Sequence, residues 1–195
     1  EKQKNNIINK TKKYFPDGIK EYGADALRFN FCAMASTGRD INFDLNRIEG
    51  YRNFCNKLWN ASRFILMTCD GYKYKENLNT HDATIFDKWI MYKLDNVVND
   101  FKKYTTNYRF DLMANSIYEF VWNEYCDWYL EITKNNVNET TKSFLIYSII
   151  RIIKLCHPII PFITEEIWSE LYKKGFVNEK DLINSNFPSQ IRISK

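Results

Sequence analysis

The side chains that most often carry out catalysis are few in this chain and lie far apart. There are only two histidines, His81 and His157. His157 directly precedes Pro158, where a helix must end, so we expect it to interact with the last carbonyl groups of that helix. The adjacent Glu165 and Glu166 suit the positive N-terminus of a helix better than the carboxylate pair of a glycosidase. These residues predict no catalytic site.

Sequence motifs for nucleotides, metals and activated nucleophiles are also missing. The chain contains no GxGxxG, GxxxxGK[ST], HExxH or GxSxG pattern. Its five cysteines form no CxxC pair and have no histidine at metal-ligand spacing, which predicts free thiols in a reducing compartment and no metal site. Without an apolar run of about 18 residues, and with a basic, polar start, we expect neither a membrane span nor a signal peptide.

One face of a predicted helix over residues 45–68 has the chemistry to bind RNA. Amides, cations and an aromatic residue lie roughly opposite or beside its apolar stripe: Asn53, Asn56, Lys57, Asn60, Arg63 and Phe64. Amides and cations hydrogen-bond base edges and phosphates, and an aromatic ring stacks on an unpaired base. A solvated bundle helix shows the same polar stripe. The formal charge of +4 permits RNA binding without requiring it.

Composition and periodicity predict the elements that carry this face. The 195 residues are 45% hydrophobic and include only 6 Gly and 4 Pro, which excludes a disordered tail and favours long helices over β-rich folds. In the 45–68 helix an apolar stripe recurs at steps of three and four, and Asp44 is a suitable N-cap. The stripe consists of Ile48, Tyr51, Cys55, Leu58, Ser62 and Ile65.

Further helices are predicted along the rest of the chain. A short first helix is predicted to end near Tyr14. The others are predicted over 24–36, 82–104, Asp111 to about Lys134, Asn138 or Thr140 to Cys156, and Pro161 to Gly175. The helix that ends at Cys156 is apolar over so wide an arc that we place it in the centre of the molecule. We therefore predict an all-α fold, an antiparallel helix bundle.

Four stretches of the chain resemble one known family. YGADALRFNFCAMASTGRDINFD (22–44), EGYRNFCNKLWNASRFIL (49–66) and WNEYCDWYLEITK (122–134) closely resemble the C-terminal region of the valyl-tRNA synthetases. HPIIPFITEEIW (157–168) is similar to the closing segment of their helical domain. The resemblance extends over about residues 10–190.

The resemblance implies the anticodon-binding bundle of a valine–tRNA ligase, whose parent enzyme attaches valine to tRNA(Val) with ATP and Mg²⁺. The HIGH-like and KMSKS-like ATP motifs of the family are absent, so this part of the enzyme is expected to be non-catalytic and to hold no cofactor itself. Residues 1–40 would be the tail of the stem-contact region, 41–184 the bundle, and 185–195 the start of a linker. The implied partners are the tRNA(Val) anticodon loop and the catalytic domain of the same parent, and no membrane is expected as a partner. The implied location is the cytoplasm or, alternatively, an organelle.

The resemblance also implies a surface that reads the anticodon, formed by the helices at 45–67 and 111–134. Valine codons begin with GU, so the middle and third anticodon bases are always A and C. Matched position by position, the reading residues are Lys57, Arg63, Phe64, Cys126, Leu130 and Glu131. Phe64 would stack on a base, Lys57 and Arg63 would contact phosphate or base edges, Leu130 would form an apolar wall, and Glu131 would accept from the amine of cytosine. Asn53, Asn56 and Asn60 complete the predicted surface.

Other interpretations stay open at the level of sequence. Synthetases of the isoleucyl type share the DALRF-like helix and the HPxxPF-like turn, and a free-standing bundle could serve as a protein-interaction module. Phe64 could belong to the core, and Lys57, Arg63 and Glu131 could be solvated charges. Leu130 lies in an aromatic-rich stretch that we expect to build the core: Trp122, Tyr125, Trp128 and Tyr129.

Overall fold

The computed structural model describes residues 2–36, 44–76, 78, 80–135 and 137–189. Helices account for most of these residues, and no strand is assigned among them. The helices are α1 (Lys2–Tyr14), α2 (Ala24–Met34), α3 (Leu45–Thr68), α4 (Ile85–Thr106), α5 (Phe110–Glu119), a π-helix (Phe120–Leu130), α6 (Glu131–Thr133), α7 (Glu139–Cys156), α8 (Pro161–Lys173) and a 3-10 turn (Leu182–Asn184). The prediction of an all-α bundle is confirmed.

Local capping signals determine where several helices begin. Asp44 accepts a hydrogen bond from the backbone N–H of Asn46 at 2.9 Å, so the predicted N-cap is confirmed. Of the two predicted starts of the later helix, Asn138 is its cap and accepts from the backbone N–H of Thr141 at 2.8 Å. The second long helix begins at Ile85 and not at 82 as predicted, because Thr84 forms a capping box with Asp87, three residues further on.

The order of contacts shows that α4 runs antiparallel to α5 and the π-helix. Near the start of α4, Asp87 accepts a hydrogen bond from the hydroxyl of Tyr129 at the end of the π-helix. Further along α4, Oδ2 of Asp100 lies 3.5 Å from Oγ of Ser116 in α5. α7 then runs back along the π-helix, where Tyr125 lies 2.8 Å from Ser148. α3 lies alongside α5 and the π-helix and runs in the same direction, because Phe54 contacts Tyr118 and Lys57, further along α3, contacts Asp127.

The core lies around α7, as predicted from its wide apolar arc. Ile146, Ile149, Ile152 and Ile153 are fully buried. The predicted stripe of α3 also faces the core, with every member buried except Tyr51, which is half-buried. All five cysteines are free thiols. Within the described parts of the chain, no helix is both long and apolar enough to cross a membrane.

The helix predicted from Asp111 to Lys134 is confirmed in extent, because the chain is helical from Phe110 to Thr133, but the expectation of α-helical winding throughout is wrong. It begins as α5, continues for eleven residues as a π-helix and returns to α-helix only at Glu131. Its buried side chains recur at steps of five, as in the series Phe120, Tyr125 and Leu130. Residues five apart lie about 140° apart around an α-helix. The i→i+5 bonding of a π-helix instead returns them to nearly the same face, so this winding keeps the series in the core.

Two predicted roles near the last helix are also wrong. His157 does not bind the final carbonyls of α7: its Nδ1 lies 2.9 Å from Oγ1 of Thr164. Glu165 lies beyond the first turn of α8, and its carboxylate accepts from the backbone N–H of Leu182 at 2.9 Å. The N-terminus of α8 is satisfied by Asp25 of α2, which accepts from the backbone N–H groups of residues 162 and 163 at 3.3 and 2.7 Å. A cap supplied by a distant helix leaves no local sequence signal.

Candidate nucleic-acid interface

A surface groove of about 240 Å³ lies between α3 and the segment formed by the π-helix and α6. Its lining residues are Lys57, Asn60, Ala61, Phe64, Cys126, Asp127, Leu130, Glu131 and Lys134. The α3 members are spaced by three and four residues, so they share one face of that helix. The members from the other side begin within the π-helix and continue past its end.

The floor of the groove is apolar and uncharged. Ala61, Cys126 and Leu130 are all buried, and their side chains belong to the main core or pack beside it. Burial raises the pKa of the Cys126 thiol to about 12, so this side chain stays protonated at neutral pH. An apolar, neutral floor of this kind suits the face of a base better than a phosphate group.

Phe64 lines the groove from the α3 side and is half-buried. One part of the side chain packs against the core, while the Nζ of Lys134 lies 5.9 Å from the ring centroid. Lys134 is also paired with Glu131, at 2.5 Å between Nζ and Oε1, and both side chains are about half exposed. A base that stacked on Phe64 would therefore have to displace Lys134, which its exposed position allows.

Lys57 is held by two residues of the π-helix. Its Nζ lies 2.5 Å from Oδ1 of Asp127 and 4.0 Å from the ring centroid of Trp122. The Lys57 side chain is 25% exposed and that of Asp127 is 49% exposed. The lysine is thus neither a freely solvated charge nor a core residue: it is an anchored cation at the edge of the groove.

The charges of the groove cancel. Two lysines, Lys57 and Lys134, and two acids, Asp127 and Glu131, line it, and they form two ion pairs. In each pair a lysine donor stands beside a carboxylate acceptor. Such a lining offers both donors and acceptors to a base edge, but it has no net charge to attract a phosphate backbone.

Comparison with known proteins identifies the family to which the chain belongs. Residues 87–193, more than half of the chain, match the family model described as the anticodon-binding domain of tRNA ligase. The chain belongs to this family. Its anticodon-binding domain fold is also seen in the LeuRS of Agrobacterium radiobacter K84, solved in a ternary complex with tRNA and LeuAMS, with a TM-score of 0.68. That match covers 88% of this chain and 20% of the LeuRS chain at 16% sequence identity, which shows a shared fold.

Curated valine–tRNA ligases are similar to the chain in sequence. The protein from Legionella pneumophila (strain Paris) is 46% identical over 191 residues, which is 93% of this chain and 21% of the relative. The protein from Francisella tularensis subsp. tularensis is 48% identical over 187 residues, covering 91% of this chain and 20% of the relative. The chain therefore spans about a fifth of the length of the curated relatives it matches.

Six of the nine residues predicted to bind the anticodon line the groove. They are Lys57, Asn60, Phe64, Cys126, Leu130 and Glu131. Arg63, Asn53 and Asn56 are exposed on α3 but lie outside the lining. Asn56 instead borders a second cavity of about 440 Å³ near the starts of α2 and α8.

Sequence reasoning missed three residues of the groove: Ala61, Asp127 and Lys134. Lys134 could have been found, because it follows Glu131 by three residues and such pairs meet on a helix. Ala61 could have been found from its spacing to Lys57. Asp127 had no such signal, since its position relative to Lys57 depends on the π-helix.

Proposed function

We propose that this chain is the tRNA-reading domain of a valine–tRNA ligase and that the groove receives unstacked anticodon bases of tRNA(Val). The observation that carries this proposal is the meeting of two distant segments. Lys57, Asn60 and Phe64 of α3 and Cys126, Leu130 and Glu131 of the second segment are predicted from the sequence as anticodon contacts, and all six line a single groove. Sequence-specific RNA recognition usually targets such unstacked loop bases.

The donors and acceptors of the groove suit bases that carry an exocyclic amine. Oε1 of Glu131 is paired with Lys134, which leaves the second carboxylate oxygen to accept from the N4 amine of cytosine. Asn60 adds an exposed amide with both a donor and an acceptor. Phe64 would supply an aromatic face on which a base can stack, and Leu130 belongs to the apolar floor beneath it. The middle and third anticodon bases of valine tRNAs, A and C, both carry the amine.

The high identity to valine–tRNA ligases favours valine over isoleucine as the amino acid of the parent enzyme. In that parent, ATP and Mg²⁺ would act in a catalytic domain outside this chain, in the cytoplasm and without a membrane. That catalytic domain and tRNA(Val) would be the partners of the bundle. A free-standing protein-interaction module has no comparable support, since the groove has the character of a base-reading site.

Filter binding with tRNA transcripts tests this proposal directly. The 195-residue chain is titrated with a valine tRNA, with the same transcript carrying changed middle and third anticodon bases, and with an isoleucine tRNA, each at several salt concentrations. We expect weak binding that falls with salt, because phosphates outside the groove contribute. The preference for the valine anticodon should persist as salt rises, because a neutral groove reads bases and not charge. Equal affinity for all three transcripts at every salt concentration would refute the proposal.

A further inference from the structure

The π-helix gives Lys57 two supports that an α-helix could not supply together. Trp122 and Asp127 are five residues apart, yet both contact the same ammonium group. On an α-helix, residues at this spacing diverge by about 140°. The i→i+5 pattern of the π-helix turns them to one side, toward α3. The unusual winding is thus coupled to the position of one cation in the groove.

The aromatic support is itself immobilised. The ring of Trp122 stacks on Tyr118 with centroids 5.6 Å apart and an interplanar angle of 9°. Tyr118 in turn stacks on Phe54, which is fully buried in the core. Trp122 therefore presents a fixed ring face to Lys57. Asp127 is half exposed and acts from the open side, so the lysine is held between a rigid ring and a carboxylate.

We propose that Asp127 and Trp122 are positioning residues, which hold Lys57 so that it contributes to base discrimination and not to general attraction for RNA. This inference rests on the function proposed above. A lysine is a flexible point charge that follows any nearby phosphate. When it is neutralised by Asp127 and fixed against Trp122, its N–H groups can donate only to an acceptor in a defined place. Phosphate contacts orient an RNA, whereas contacts with base edges specify it.

A matched pair of substitutions separates positioning from charge. Asp127→Asn keeps the size of the side chain and removes the ion pair with Lys57. Glu124→Gln is the control: it lies on the same π-helix, makes an ion pair of the same length, 2.5 Å, with Lys93, and has comparable exposure, at 29% and 35% for the two side chains. Neither Glu124 nor Lys93 lines the groove. Both substitutions add the same formal charge.

The two variants should differ in the ratio of their affinities for the valine transcript and the changed-anticodon transcript. Filter binding with the valine transcript and its changed-anticodon counterpart gives the ratio of affinities at each salt concentration. Asp127→Asn should bind both transcripts more tightly at low salt, with a salt slope steeper by about 0.7, and lose about tenfold in the ratio, the size of one base contact. Glu124→Gln should keep the ratio of the unmodified chain. Asp127→Glu, which can restore the pair, should recover most of it.

The possible outcomes distinguish this inference from the proposed function. Thermal melts must first show that both variants fold like the unmodified chain. If Asp127→Asn does not fold, two other variants carry the test: Lys57→Gln should lose the anticodon preference about tenfold, and Asp127→Glu should keep most of it. If the unmodified chain prefers the valine anticodon and Asp127→Asn prefers it equally, the positioning role is refuted and the function stands. An equal loss of the ratio in Glu124→Gln would also refute it, because charge alone would then explain the effect. An unmodified chain with no preference would refute both.

Discussion

Replacement of Phe64 tests whether its ring stacks on an anticodon base. A fully buried Phe→Ala change costs about 3–5 kcal/mol of unfolding free energy. Because Phe64 is only half-buried, we expect Phe64→Ala to cost about half as much, roughly 2 kcal/mol. In a chain of this length each kcal/mol lowers the melting temperature by about 2–4 °C, which predicts a decrease of about 4–8 °C. The variant should therefore remain folded at 25 °C, where its binding can be measured.

The loss of binding should exceed what this loss of stability explains. A base–aromatic stack is worth about 1–3 kcal/mol, so affinity for the valine transcript should fall by about 5- to 150-fold. Phe64→Leu separates the two effects, because it keeps apolar packing but has no aromatic face; it should melt near the unmodified chain and still bind poorly. Phe162→Ala is the control, since Phe162 is 66% exposed at the start of α8 and lies outside the groove.

One result would refute the stacking role of Phe64. A folded Phe64→Ala protein that keeps both its affinity and its preference for the valine anticodon would place the ring outside the reading surface. If Phe64→Leu instead bound normally and only Phe64→Ala bound poorly, the side chain would act by packing alone. In that case the groove would still be the binding site, but its aromatic wall would not be in contact with a base.

Three further predictions concern activity, stability and pH. The chain should show no valine-dependent ATP–pyrophosphate exchange above a control without protein, because it contains none of the ATP motifs. Asp87→Ala should lower the unfolding free energy measured in urea by about 2–4 kcal/mol, since it removes the capping box of α4 and leaves the buried Tyr129 hydroxyl, now 2.6 Å from Asp87, without its acceptor; Tyr129→Phe should cost less. Burial raises the pKa of the Cys55, Cys69 and Cys126 thiols from 9.0 to about 12. The folded protein therefore keeps these thiols protonated at a pH at which the unfolded chain ionises them. The free energy of unfolding is unaffected by them below pH 9 and falls as the pH rises from 9 toward 12. Urea unfolding at pH 8–10 should show this decline, at up to about 1.4 kcal/mol per pH unit for each thiol, and Cys69→Ala should make it shallower.

The elements predictable from the sequence are those whose ends have local signals. α3 begins after its cap at Asp44 and ends before Gly71, whose φ of +70° suits glycine, and its polar and apolar faces follow from simple helical spacing. α7 was placed centrally because its apolar residues cover most of its circumference. In both cases the deciding interactions involve residues a few positions apart. The division of the chain at residues 40 and 184 stays a prediction, and residues 190–195 of the predicted linker lie outside the described structure.

The features that were missed depend on residues far apart in sequence. Asp25 satisfies the start of α8 across more than 130 residues, and His157 turns to Thr164 in place of its own helix end. For the groove, the sequence supplied the α3 face and the two apolar positions Cys126 and Leu130. It did not indicate that Lys57 would be paired, because the partner lies on another helix. The sequence alone does not distinguish an unpaired lysine from an anchored one, although an unpaired lysine would attract any phosphate and an anchored one would contact a base edge in a fixed place.

The winding of residues 120–130 decides what the groove contains. If this segment were an α-helix with Tyr125 still in the core, Phe120 and Leu130 would each lie about 140° away around the helix, and Leu130 would leave the floor of the groove. Asp127 and Trp122 would then separate, and Lys57 could reach only one of them. The sequence does contain a trace of the π-helix, because apolar pairs recur every five residues at Phe120–Val121 and Tyr125–Cys126, followed by Leu130. A step of five fits neither the α-helical nor the strand period, and such a step beside candidate binding residues is therefore itself a reason to expect a site.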